Sequence, residues 1–305
     1  MPNPGEATLL RLLEPFAAAL ALPDTREVVV NRPGGFGVEG DGGFAWHDAP
    51  ELTYARLDAI CTLAASRTSK RVGPDRPTCS SVLPGGERIA TARPPATAPG
   101  TICLNIRRRA KSFTPTLPWL AGRGYFDHLD PAVDWPAWWQ RAIDAGKTVI
   151  VCGAIGSSKT TFAEALLRAI DPGKRLVTVE DTPEWLDLPH VNWMPLYFDG
   201  ERRTATDCLQ DALRARPDWL PFQEMRGSEA WAFLRARIVG HPGITTVHSR
   251  DCASAFDALA LMVRQSAEGR ALPEGTLHGL LRQHIDIVAH CAREPFRVTE
   301  VMEVR

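Results

Sequence analysis

The sequence predicts an α/β protein of two domains, and three observations carry that prediction. Its 305 residues suit about two domains of ordinary size. The first third mixes short strands and helices in an α+β texture. From Trp135 onward, strand, turn and helix recur as a parallel sheet requires. Lys and Arg number 35 against 36 Asp and Glu, so the net charge is −1 and neither a strongly basic nucleic-acid binder nor an acidic disordered chain fits.

Residues 1–112 read as the N-terminal α+β domain. An amphipathic helix is expected over about residues 6 to 21, because Glu6 and Glu14 precede its apolar stretch where a signal peptide would carry basic residues. Glu27-Val-Val-Val-Asn31 reads as a strand stopped by Arg32-Pro33. Phe36–Glu39 and Phe44–Trp46 flank Gly40-Asp41-Gly42-Gly43, which predicts a hairpin. Residues 53–68 carry apolar side chains at helical spacing, and strands follow over 88–92 and 101–106. Prolines and glycines punctuate residues 113–136, which are expected as a linker, and 137–305 as the second domain. Seven cysteines without a CxxC pair fit reduced thiols in a cytosol. No run reaches the ~18 to 20 apolar residues of a membrane span.

Lys147-Thr-Val-Ile-Val-Cys152 is a buried-strand pattern leading into Gly153-Ala154-Ile155-Gly156-Ser157-Ser158-Lys159-Thr160-Thr161, after which Phe162, Leu166, Leu167 and Ile170 share a helical face. Strand, glycine turn and helix in that order build a phosphate cradle. Backbone N–H groups converge at a helix N-terminus, Lys159 can neutralise phosphate, and the Thr160 hydroxyl can reach Mg²⁺. Ser158 stands where the strict pattern has a second glycine. Three later strands end in chemistry-bearing residues: 175–180 in Glu180 and Asp181, 219–223 in Glu224, and 244–247 in His248. In a parallel sheet these ends lie along one edge, so Lys159, Glu180, Glu224 and His248 can converge on one phosphate.

These motifs resemble the hexameric traffic ATPases of bacterial type IV secretion and conjugation. The resemblance rests on Glu180-Asp-Thr-Pro-Glu184, Arg214-Ala-Arg-Pro-Asp218, Glu224-Met-Arg-Gly-Ser-Glu229 and Gly240-His-Pro-Gly243 with Thr245-Thr-Val-His248. It implies a PAS-like N-terminal domain followed by a RecA-like P-loop ATPase domain, ATP and Mg²⁺ as ligands, and a homo-hexamer. It implies a cytoplasmic location, peripheral to the inner membrane, beside inner-membrane secretion components. Carried over by position, 153–161 bind nucleotide, and Lys159, Glu180, Glu224 and His248 serve catalysis. Thr160, Glu180 and Glu224 are the metal candidates, and Arg93, Arg107 and Arg108 the phosphate-facing cations of the N-terminal domain.

Departures from that pattern cluster near the chemistry: Ser158, Gln223 before Glu224, Pro221 inside an expected central strand, and one residue missing after Gly243. Three functions therefore stay open: an active type IV ATPase, a catalytically impaired nucleotide-binding ring subunit, and a type II secretion or pilus ATPase. The cluster Arg107-Arg108-Arg109 with Lys111 reads as a nucleotide-facing pair, a solvated face or a contact to DNA.

Overall fold

The computed structural model describes residues 4–40, 42–68, 70–108, 114–185, 187–199, 202–293 and 295–304, and Arg109 and Lys111 lie outside them. The chain divides into two compact units, Met1–Phe113 and Thr114–Arg305.

In the first unit, helices α1 (Pro4–Leu12), α2 (Ala17–Ala21) and α3 (Tyr54–Arg67) accompany strands β1 (Glu27–Val30), β2 (Gly34–Gly40), β3 (Gly43–Ala49), β4 (Thr78–Val82), β5 (Arg88–Ala92) and β6 (Cys103–Arg107). The expected opening helix is broken: a 3₁₀ turn, Glu14–Phe16, separates α1 from α2, with Pro15 in its first turn. The expected hairpin forms, with β2 and β3 in antiparallel register from Gly34↔Ala49 to Gly40↔Gly43. β4 had no counterpart among the expected strands. It is an edge strand in the order β3-β2-β1-β6-β5-β4, and its run of Thr78, Cys79, Ser80 and Ser81 before Val82 gives it no apolar alternation. α3 is capped by the Thr53 side chain, which accepts the Arg56 N–H at 3.2 Å, and it buries Leu57, Ile60, Cys61 and Ala64 in the core.

The second unit holds helices α4 (Leu117–Ala121), α5 (Trp135–Asp144), α6 (Lys159–Ala169), α7 (Ala205–Arg214), α8 (Glu229–Ile238), α9 (Cys252–Val263), α10 (Ala267–Arg270) and α11 (Glu274–His284). Its strands are β7 (Val149–Gly153), β8 (Leu176–Glu180), β9 (Trp193–Tyr197), β10 (Phe222–Glu224), β11 (Ile244–Val247), β12 (Ile287–Ala292) and β13 (Arg297–Glu303). They join in the order β13-β12-β7-β11-β10-β8-β9, parallel throughout except for β13 against β12. Alternate residues of β7 point to opposite faces. Val149 and Val151 join the core built with α4, α5 and α6, and Ile150 and Cys152 the core built with α7, α8 and α9.

Two expectations change here. The segment expected as a linker packs as part of the second unit, because Leu117, Leu120, Tyr125 and Phe126 are buried with Trp139 and Phe162. The apolar content between its prolines supplies core rather than reach. The strand expected over 219–223 begins only at Phe222, since Pro221 has no N–H to donate and its carbonyl alone serves the sheet, accepting from Val179 N at 3.1 Å. No helix among the described residues is long and apolar enough to cross a membrane.

Candidate active site

The phosphate loop grows from the buried centre of the sheet. β7, flanked by β12 and β11, ends at Gly153, whose φ is +147°. A Cβ there would lie 2.3 Å from the Cys291 carbonyl oxygen and 2.7 Å from Ser157 Oγ, so only glycine lets the chain leave the strand this close to β12. Gly156 (φ +73°) and Ser158 (φ +63°, ψ +22°) take left-handed turns, and α6 starts at Lys159. The first turn of α6, with Thr160 and Thr161 half-buried, thus opens its N–H groups towards the loop. Ser157 Oγ is buried without a hydrogen-bond partner. Glycine-shaped space, an unmatched hydroxyl and a helix N-terminus together fit a phosphate group.

Lys159 is nearly buried and folds back over this loop. Its Nζ donates to the carbonyls of Gly153 at 3.0 Å and Ala154 at 2.7 Å, and stands 3.3 Å from His248 Nδ1. Burial pulls its pKa below the ordinary lysine value, against the opposing charge of Glu224.

From Lys159 a polar chain runs along the carboxyl edge of four strands. His248, just past β11, sets Nε2 2.7 Å from Glu224 Oε1 at the end of β10. Glu224 Oε2 accepts from Arg226 at 2.6 Å, and the other guanidinium nitrogen donates to Asp181, past the end of β8, at 2.9 Å. Burial works against the Glu224 carboxylate, but Arg226, His248 and Lys159 together outweigh it and hold its pKa below the usual range. Glu224 is thus an ionised acid fixed on both oxygens.

Glu180 turns elsewhere. It is fully buried; Oε2 accepts the N–H groups of Glu184 at 2.9 Å and Trp185 at 3.1 Å, and Oε1 accepts from Thr178 at 3.2 Å. Its contacts organise its own loop, and none comes from Lys159, Glu224 or His248. Burial pushes its pKa up to about 7 despite those hydrogen bonds. Gln223 serves the same region, its carboxamide oxygen accepting Asp181 N at 3.1 Å. The N-terminal arginines belong to the first unit. There Arg93 pairs with Asp58 at 2.6 Å, Arg108 donates to the Pro23 carbonyl at 2.5 Å, and Arg107 ends β6 opposite Glu27. Sequence reasoning missed Arg226 and Asp181 as members of the polar chain. Arg226 follows Glu224 by two positions, and in extended backbone such residues share a side.

Comparison with known proteins adds the decisive observation. Residues 139–303, more than half the chain, match the family model for type II/IV secretion system proteins. The type IV secretion system protein VirB11 of Brucella suis is 35% identical over 94% of this chain and 88% of its own length. The chain belongs to this secretion ATPase family. Its relatives include the VirB11 proteins of Bartonella quintana, 32% identical over 99% of this chain and 94% of that protein, and Rhizobium radiobacter, 34% identical over 95% and 90%. Among solved structures, the VirB11 ATPase of the Brucella suis type IV secretion system in complex with sulphate covers 98% of this chain and 95% of that one, at 34% identity and a TM-score of 0.54. The Legionella pneumophila ATPase DotB (15% identity, 96% of this chain and 79% of that one, TM-score 0.64) shares the fold. The second unit is accordingly a RecA-like ATPase domain behind an α+β N-terminal domain. This member of the family is a traffic ATPase of type IV secretion.

Proposed function

We propose that the chain hydrolyses ATP at the 153–161 loop and, as a ring of six identical copies at the cytoplasmic face of the inner membrane, converts that turnover into transport work. The observation that carries the reading is the continuous polar chain from Lys159, folded over the loop, through His248 to Glu224.

Each residue then has a task that its surroundings suit. Lys159 exchanges the Gly153 and Ala154 carbonyls for phosphate oxygens and offsets charge on the transferring group. Glu224, ionised and held on both oxygens, orients the attacking water and accepts its proton. His248 touches both Lys159 and Glu224, so it relays the occupancy of the loop to the acid. Mg²⁺ would be held by the Thr160 hydroxyl, with Glu224 behind its water shell, and when bound supplies charge neutralisation at the β- and γ-phosphates. Among the described residues no group of three His, Cys, Asp or Glu forms a ready cage, which agrees with an ion that arrives with its nucleotide. Glu180 shapes the loop after β8.

Phosphate release by parent and Lys159→Ala proteins tests this. A loss of at least about tenfold, one charged hydrogen bond or more, is expected; full turnover by the variant would remove Lys159 and the loop from the scheme. Mass in solution with ATP and Mg²⁺ should reach six times the 33.5 kDa chain. Nucleotide binding and ring formation without phosphate release would favour a scaffold subunit instead.

A further inference from the structure

His248 stands outside regular structure. β11 ends at Val247, α9 begins at Cys252, and residues 248–251 between them form a link that is exposed except at half-buried Ser249. The near end is fixed by the sheet, where Val247 pairs with Cys152 of β7. The far end depends on how α9 starts. The Asp251 carboxylate accepts Ser254 N at 2.7 Å, and Ser254 Oγ accepts Asp251 N at 3.2 Å. That capping box does not reach the N–H of Cys252, the first helical residue, which no carbonyl within the helix can accept. Glu300 of β13 takes it: Oε2 accepts Cys252 N at 3.0 Å. A carboxylate there also faces the positive end of the helix dipole, so the bond is charge-assisted. Two thiols add to the same junction. Cys252 Sγ lies 3.3 Å from the Val288 carbonyl oxygen on β12 and 3.8 Å from that of Glu300, and Cys152 Sγ lies 3.5 Å from that of Asp251. Thiols are weak donors, so the Glu300 carboxylate is the strongest of these ties.

We propose that Glu300 is a positioning residue for His248: by holding the first amide of α9 it fixes the far end of the 248–251 link and keeps the imidazole against Glu224. A four-residue link anchored at both ends has little slack. Released at α9, it would let Nε2 drift from its 2.7 Å contact with Glu224 Oε1 and Nδ1 from its 3.3 Å contact with Lys159 Nζ. Glu300 thus acts through backbone, from the edge strand that lies two places from β7 in the sheet. The proposal rests on the reading of Lys159, His248 and Glu224 as one catalytic chain.

Five full-length proteins decide it: parent, Glu300→Ala, Glu300→Gln, His248→Ala, and His248→Ala combined with Glu300→Ala. Each is measured for kcat and KM of ATP turnover and, without nucleotide, for amide exchange over 248–252. Glu300→Ala should lower kcat about three- to tenfold, speed that exchange by a similar factor, and leave KM within about twofold, because the lost bond lies away from the phosphate loop. Glu300→Gln keeps an acceptor for Cys252 N and should recover most of both losses. In the His248→Ala background the Glu300→Ala change should move kcat less than about twofold, while exchange still rises. Should Glu300→Ala not fold, Glu300→Asp, one methylene shorter, takes its place with the same expectations. An equal loss of kcat in both backgrounds, no loss in the parent, or unchanged exchange would overturn the proposal. If His248→Ala alone turns over like the parent, the catalytic reading of His248 fails, and the exchange data still decide whether Glu300 holds the link.

Discussion

His248 sits between the phosphate loop and the acid: Nε2 is 2.7 Å from Glu224 Oε1, while Nδ1 is 3.3 Å from Lys159 Nζ and 3.2 Å from the Gly153 carbonyl. Glu224 accepts at Nε2, so the ring donates there, while at Nδ1 the Lys159 ammonium calls for an acceptor and the Gly153 carbonyl for a donor. One imidazole thus senses an ammonium on one side and a carboxylate on the other.

The clamp on Glu224 predicts how Arg226→Ala will behave. Loss of the 2.6 Å bond frees one carboxylate oxygen and also releases Asp181. kcat should fall about ten- to a hundredfold, the range of a charged hydrogen bond, with ADP affinity little changed. Steady-state phosphate release beside ADP titration checks it, and a loss confined to affinity would contradict the role given to Glu224.

Gly153→Ala should be severe. The new methyl would lie 2.3 Å from the Cys291 carbonyl oxygen, which belongs to the backbone of the sheet core and cannot step aside. A stability loss of about 1–3 kcal/mol, together with loss of nucleotide binding, is expected in thermal unfolding and ADP titration.

Glu180 predicts a pH dependence of stability. Its folded pKa of about 7 lies above the ordinary carboxyl value of 4.5, so the folded protein binds its proton more tightly than the unfolded chain. The favourable contribution is complete below about pH 4.5 and disappears as pH rises through about 7. Glu180→Gln keeps an acceptor for the Glu184 and Trp185 amides without the buried charge. It should flatten this slope and be the more stable protein at pH 8, by a few kcal/mol at most. Denaturant midpoints at pH 5 and pH 8 measure both.

Arg237 is almost wholly buried, with Nε and Nη1 unpartnered, one bond to the Leu220 carbonyl at 3.2 Å and its guanidinium 4.3 Å over the Phe233 ring. Burial drags its pKa down to about 9. Arg237→Met keeps the packing and removes the uncompensated charge, so it should leave stability unchanged or raise it by about 1–3 kcal/mol. A loss beyond about 2 kcal/mol in urea unfolding would mean that the guanidinium has a partner of its own.

Much of the site was legible because parallel topology turns a one-dimensional series into a shared edge. Lys159, Glu224 and His248 each follow a β-rich apolar run, and adjacent β7, β11 and β10 bring their ends together. Glu180 follows the same kind of strand, yet its carboxylate is taken by amides four and five residues on, a turn geometry that spacing alone does not encode. The packing of 117–126 was hidden by its prolines and glycines, which mark breaks in regular structure equally well in a tether and in a folded-in segment.

Pro221 and the register shift between Phe222 and Glu224 leave β10 a three-residue strand inside the sheet, between β11 and β8. β10 is the shortest strand of this sheet among the described residues, and Glu224 stands at its end. A small displacement of that short strand would move the carboxylate relative to Lys159, so strand length and the placing of the acid meet at one residue.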